Sequence, residues 1–220
     1  LGLTLALATI SAQGATVYVV ASGVLEEFFD PQGLLPSNAP PFNPPPDSAV
    51  TIRFTYDSET PDVKPEQNVG EFRGAISDLS LSIGFYTLPA LAANLIAVVD
   101  GDPNPPFGSG DVWVADSYTE TPFLRTSISL MLVNAGGNAF ESDALIEPSY
   151  DFGFSVITYE IDDTSDPTER VTLARAQAAV YRGSVEVTSV PAPTVPAPAT
   201  GWLLVTALAG VGGRRWQRRN

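Results

Sequence analysis

Residues 50–58 read VTIRFTYDS. Val50, Ile52, Phe54 and Tyr56 fall on one side of an extended chain, and Thr51, Arg53, Thr55 and Asp57 on the other. Successive side chains of a strand point to opposite faces, so this stretch predicts a strand with one dry and one wet face. The same alternation recurs on either side of it. LSLSIGF (79–85) turns Leu79, Leu81, Ile83 and Phe85 inward and leaves Ser80, Ser82 and Gly84 outside. TSISLMLV (126–133) places Ile128, Leu130 and Leu132 on one face. FGFSVITYEI (152–161) carries Phe152, Phe154 and Val156 on one face and Ile157, Tyr159 and Ile161 on the other, as a more central strand would. GSVEVTSV (183–190) alternates Val185 and Val187 with Glu186 and Thr188, and TVYVVAS (16–22) and ANLIAVVD (93–100) read as further strands.

Helix is scarce. LARAQAAVYR (173–182) reads equally as a helix, on its Ala, Arg and Gln content, or as a strand of small residues. The strands are separated by Pro-, Gly- and Asp-rich stretches at 31–48, 57–70, 100–111 and 162–167, whose composition suits turns and loops. APPFNPPPD (39–47) reads as a flexible or polyproline insertion within the domain. No repeat of fixed period is visible, which argues against a solenoid or propeller. The expected fold is all-β: about eight to ten short antiparallel strands in a two-sheet, jelly-roll-like sandwich. One domain over residues 15–189 would hold it.

The chain has 220 residues, long enough for one sizeable core. Its net charge is −14, unevenly spread. Four of the eleven basic residues are Arg214, Arg215, Arg218 and Arg219; without them seven basic residues face 25 acidic ones, a net of −18. Such a surface repels phosphate backbones, which argues against a nucleic-acid partner. There is no cysteine and no histidine. Disulfides, thiol nucleophiles, zinc–thiolate sites and a Ser-His-Asp triad are thereby excluded. The single lysine, Lys64, lies between Asp62 and Glu66 beside Pro65, and reads as a loop residue rather than a member of a Ser-Lys pair. Only carboxylate chemistry is left to an enzyme.

Residues 1–14, LGLTLALATISAQG, begin with an apolar, uncharged run and end in Ala12-Gln13-Gly14, a small-x-small cleavage pattern before Ala15. They read as an export signal segment, or alternatively as a first buried element. The other end, 190–220, reads VPAPTVPAPATGWLLVTALAGVGGRRWQRRN. Pro191, Pro193, Pro196 and Pro198 predict a stiff, extended stalk over 190–198. The fifteen uncharged residues 199–213 predict a short transmembrane helix. It would be about 22 Å long, against a hydrocarbon core of about 30 Å, with snorkelling arginines making up part of the deficit. The arginines at 214–220 would halt translocation and stay cytoplasmic, leaving the acidic body outside.

A signal segment, a β-rich body, Pro-x-Pro, a short apolar helix and terminal arginines, in that order, resemble the PEP-CTERM class of exported bacterial proteins. The motif of that class is Val-Pro-Glu-Pro; Val195, Pro196, Ala197 and Pro198 stand at those positions, with alanine in place of glutamate. The body is similar to bodies of that class at TYDSETPD (55–62) and GNAFESDAL (137–145). The resemblance implies recognition of the C-terminal segment by an exosortase, a membrane-embedded transpeptidase-like protease. It also implies retention at the inner membrane of a Gram-negative envelope, then a cell-surface or extracellular location. It implies no activity for the body.

Three stretches invite chemistry. In DGDPNPPFGSGD (100–111), Asp100, Asp102, Asn104 and Asp111 occupy the first, third, fifth and last positions of a twelve-residue calcium loop. Pro105 replaces the glycine such a loop uses, and Asp111 replaces its bidentate glutamate, so the stretch reads as a Ca²⁺ site or as an ordinary acidic turn. DDTSD (162–166) reads as a second, solvated acidic loop. In DVWVADSY (111–118), alternation puts Val112 and Val114 in the core and Trp113 on the other face. There, with Tyr118, Asp111 and Asp116 nearby, its ring would contact sugar, and paired carboxylates would suit a glycosidase. The expected function is that of a non-enzymatic envelope or extracellular-matrix protein. A carbohydrate-binding module, Ca²⁺-assisted and acting on exopolysaccharide, is the alternative.

Overall fold

The computed structural model describes residues 15–35, 43–64, 68–101, 110–137, 152–166 and 169–190, with 139, 140, 142, 144, 145, 147 and 148 in between. Ten strands hold most of these residues: β1 (Thr16–Phe29), β2 (Ala49–Asp57), β3 (Val69–Arg73), β4 (Ile76–Ile83) and β5 (Tyr86–Pro89), then β6 (Ala93–Val99), β7 (Asp111–Glu120), β8 (Leu124–Asn134), β9 (Phe154–Asp166) and β10 (Glu169–Val190). All pairings are antiparallel. The strands expected in two sheets follow one another in a single hydrogen-bonded order, β3-β6-β7-β8-β9-β10-β1-β2-β4-β5.

That sheet doubles over its own inner face. Phe54 and Tyr56 of β2 pack against Trp113 of β7, each with ring centroids 6.1 Å apart. Its two margins are tied together. Gly74 N–H donates to the Asn94 carbonyl, Ile76 N–H to Asn94 Oδ1 and Leu91 N–H to Ser117 Oγ. The alternating residues of the sequence line the enclosed core: Val17, Val19 and Ala21; Val50, Ile52, Phe54 and Tyr56; Ile128, Leu130 and Leu132; Ile157, Tyr159 and Ile161. Doubling a sheet over in this way buries the apolar sides of its strands in one core.

Two register shifts in β1 bend its long pairing with β10. Between Ala21 and Gly23 the partner jumps from Val185 to Val180, so residues 181–184 stand opposite Ser22. Ser184 Oγ donates to the Ser22 carbonyl at 2.6 Å and closes the gap. Gly23 is required there: a Cβ would lie 2.0 Å from the Ala179 carbonyl oxygen. At its other end the pairing reaches Thr16 opposite Val190, so the described chain starts and finishes on neighbouring strands.

Residues 173–182, open between helix and strand, belong to β10. Ala174, Ala176 and Ala178 are buried, and Ala176 sits between Phe28 on β1 and Tyr159 on β9. Small residues make room for those rings, and ladders on both sides outweigh the helix propensity of alanine. Phe85 does not turn inward but is fully exposed. Ile83 pairs with Tyr86, leaving Gly84 (φ 56) and Phe85 as a two-residue hairpin turn. Phe154 is also exposed, and the inner face of β9 is that of Ile157, Tyr159 and Ile161. The expected signal segment 1–14 and the stalk, helix and arginine tail beyond Val190 lie outside the described residues. Among the described residues no helix is long and apolar enough to cross a membrane.

Candidate functional site

Asp111 opens β7 with its side chain fully buried. Its Oδ1 accepts from Gly101 N–H at 3.0 Å, and its Oδ2 from Ala139 N–H at 2.6 Å and Phe140 N–H at 3.1 Å. The carboxylate thus joins the end of β6 and the 139–140 segment to β7. Phe140 is thereby seated at the core, where its ring meets Phe152 at 6.2 Å. This role differs from that of a calcium ligand, because both oxygens are engaged by backbone amides. Of the other residues in the calcium-like spacing, Asp100 follows β6 and donates its N–H to the Asn68 carbonyl. Asp102 and Asn104 lie outside the described residues. Among the described residues no group of three or more acidic side chains is placed to share a metal ion.

Trp113 is not on the surface. It is fully buried, stacked on Phe54 at an interplanar angle of 15° and tilted against Tyr56 at 51°. Val112 and Val114 take the opposite face. Trp113 pairs with Val98 on β6 and Leu132 on β8, both core residues, and this register decides which face is inner. A Val-Trp-Val run is symmetrical and carries no such information. Trp113 therefore offers no platform for a sugar: no ligand ring reaches an indole packed inside the core.

Asp162 also departs from its expected place. It is 1% exposed, within β9, and its Oδ2 accepts from both Nε and Nη2 of Arg170 across the hairpin. Asp163 is the more solvated neighbour, and its carboxyl is held below the usual carboxylate range by hydrogen bonds from Ser165.

The outer face of β7 to β10 carries a ladder of ion pairs that the sequence reading missed. Arg125 Nη2 donates to Asp116 Oδ2 at 2.6 Å, and its guanidinium lies 4.5 Å over the Tyr118 ring. Arg175 donates to Glu160 on β9 and lies 4.0 Å from Glu27 on β1. Burial pushes the Asp116 carboxyl up, and the opposing attraction of Arg125 is the smaller effect. Asp116 Oδ1, Arg125 Nε and Asp162 Oδ1 are buried without a hydrogen-bond partner among the described residues. The available signal was the two-residue spacing of Glu160 and Asp162, which puts both on one face of a strand. It could not tell which arginine meets which acid.

No family model, curated protein or solved structure matches this chain.

Proposed function

We propose that the chain is an exported cell-envelope or extracellular-matrix protein without enzymatic activity. Its C-terminal segment holds it at the inner membrane for an exosortase-type protease. The observation that carries this reading is the order of features after the body. Val195-Pro196-Ala197-Pro198 is followed by the uncharged run 199–213 and by Arg214, Arg215, Arg218 and Arg219. The pairing of Thr16 with Val190 supports it, since a body whose two ends leave together can be threaded, trimmed and tethered from one side. In the same reading the doubled sheet is a jelly-roll-like sandwich.

The test is cell fractionation with epitope tags at both ends, in cells with and without an exosortase. Loss of the N-terminal tag, exosortase-dependent loss of the C-terminal tag and a body outside the inner membrane are expected. A cytoplasmic protein with both tags intact would sink the reading.

A further inference from the structure

Arg125 stands between two carboxylates on the outer face of the sheet. Its Nη2 donates to Asp116 Oδ2 on β7 at 2.6 Å, and both side chains are largely covered. The side chain runs along the β7–β8 hairpin to make this contact rather than straight across it. Glu120 is the residue opposite Arg125 on β7, and Asp116 lies four residues away, opposite Ser129. On the way the guanidinium lies over Tyr118, 4.5 Å from the ring centre. On its other side Arg125 is paired directly with Asp162 of β9. Residues paired in this way hold their Cβ atoms about 4.5–5.5 Å apart, well within the reach of an arginine.

This second, nearer pair is incomplete. Arg125 Nε, a donor, and Asp162 Oδ1, an acceptor, are buried without a hydrogen-bond partner among the described residues. Asp162 is 1% exposed, and Arg170 holds its Oδ2 alone. Leaving a donor and an acceptor buried and unpaired is costly, most of all for charged groups. The two residues have complementary needs and face each other across the ladder.

Asp116, the present partner, is set up to take up a proton. Burial favours its neutral form, Arg125 and Arg170 oppose that, and Glu160 on β9 adds to it. The facing residues on the adjoining strands are Leu95 of β6 and Ser129 of β8, neither of them titratable. Tyr118 and Glu120 follow on β7 itself. Arg175 of β10 is held by Glu160, and Arg73 of β3, near Tyr118, by Glu71. Once neutral, Asp116 offers Arg125 a contact roughly half as strong, because an ionised acceptor about doubles a hydrogen bond.

We propose that Arg125 is an acid-responsive switch that exchanges Asp116 for Asp162. When Asp116 takes up a proton from solvent, the guanidinium leaves it and the Tyr118 ring and turns to Asp162 Oδ1. The cross-link then ties β8 to β9 instead of β7, and Asp162 is held on both oxygens, by Arg125 and Arg170. The inference is independent of the sorting reading.

NMR of the full chain in detergent micelles, with labelled aspartate and arginine side chains, tests it from about pH 7 to 3. The Asp116 carboxyl and Arg125 Nε–H signals are expected to move together, with one midpoint above that of an unfolded aspartate. The Tyr118 ring signals are expected to move with them as the cation leaves. Asp116→Asn stands in for the protonated carboxyl, and its Arg125 signal is expected at the acid-form position already at neutral pH. Asp162→Asn is expected to leave Asp116 titrating, while in acid its Arg125 Nε–H exchanges with water at least about tenfold faster than the parent's. Arg125 signals that stay in place while Asp116 titrates would overturn the proposal. So would an Asp116→Asn chain with Arg125 at the parent's neutral position, or an Asp162→Asn chain whose acid-form Arg125 signal and exchange match the parent's. Asp116→Asn decides the matter alone if Asp162→Asn does not fold.

Discussion

Asp111→Ala would strip three backbone amides of their acceptor at once. A buried amide left without a partner costs about 1–3 kcal/mol, so the substitution is expected to remove several kcal/mol. Urea unfolding checks this as a lower midpoint with an unchanged slope. A neutral result would show that water replaces the carboxylate. Tyr159 makes a prediction about pH. Burial pushes its hydroxyl up to about 12, with the charge of Asp30 adding to the effect. An unfolded tyrosine titrates near about 10. Between those values the folded chain keeps a proton that the unfolded chain releases. Stability is therefore expected to fall as pH rises from about 10 to 12, and to be insensitive to this group below that range. Unfolding midpoints measured across the window should fall less steeply in Tyr159→Phe. Residues are also where the sequence was least informative about the site. Asp111 is a calcium-like residue by spacing and a latch by its contacts, and Trp113 sits at the centre of a symmetrical run. In both cases the deciding information lies in partners distant in the chain.

Elements were more readable. The alternation in 50–58, 79–83, 126–133 and 157–161 appears as β2, β4, β8 and β9 with the expected faces inward. It failed at ends and turns, where the constraint is different. Phe85 continues the alternation of β4 but falls in the hairpin turn made with Gly84. Residues 173–182 gave a mixed signal because alanine suits a helix as well as the space beside Tyr159 and Phe28. Asp162 to Asp166 look like a loop by composition and lie in β9, where Arg170 makes the burial of Asp162 tolerable. Two substitutions separate these cases. Gly23→Ala places a methyl group against the Ala179 carbonyl and must push β1 from β10. A loss of about 1–3 kcal/mol is expected by urea unfolding. Phe85→Ser removes an apolar ring from solvent, and a change within about 0.5 kcal/mol is expected. A large loss there would mean that the ring is covered in solution.

At the scale of the whole molecule, the order of strands was hidden at the three junctions, β3–β6, β10–β1 and β2–β4, where sheet neighbours are not consecutive in sequence. β1 lies between β2 and β10, and β3 is separated from β4 by the rest of the sheet. The acidic charge, by contrast, was plain. A net of −18 outside the arginine tail repels itself most strongly when the chain is compact. Raising ionic strength from about 0.01 to 0.15 M shortens the screening length from about 30 to 8 Å. The thermal midpoint is therefore expected to rise over that range. A fall would mean that attraction within the Arg125, Arg170 and Arg175 pairs dominates instead.

The closing stretch of β10 has a mechanical consequence. Among the described residues, 185–190 are hydrogen-bonded to β1 alone, through six residue pairs from Ala21–Val185 to Thr16–Val190. A pull on Val190 along the strand axis, against a body held at its far end, loads those pairs in parallel as a shear clamp. A pull that separates Thr16 from Val190 sideways opens them one after another, like a zipper. The domain is therefore strong along β10 and weak across it, and the direction of load decides which end of the fold gives way first.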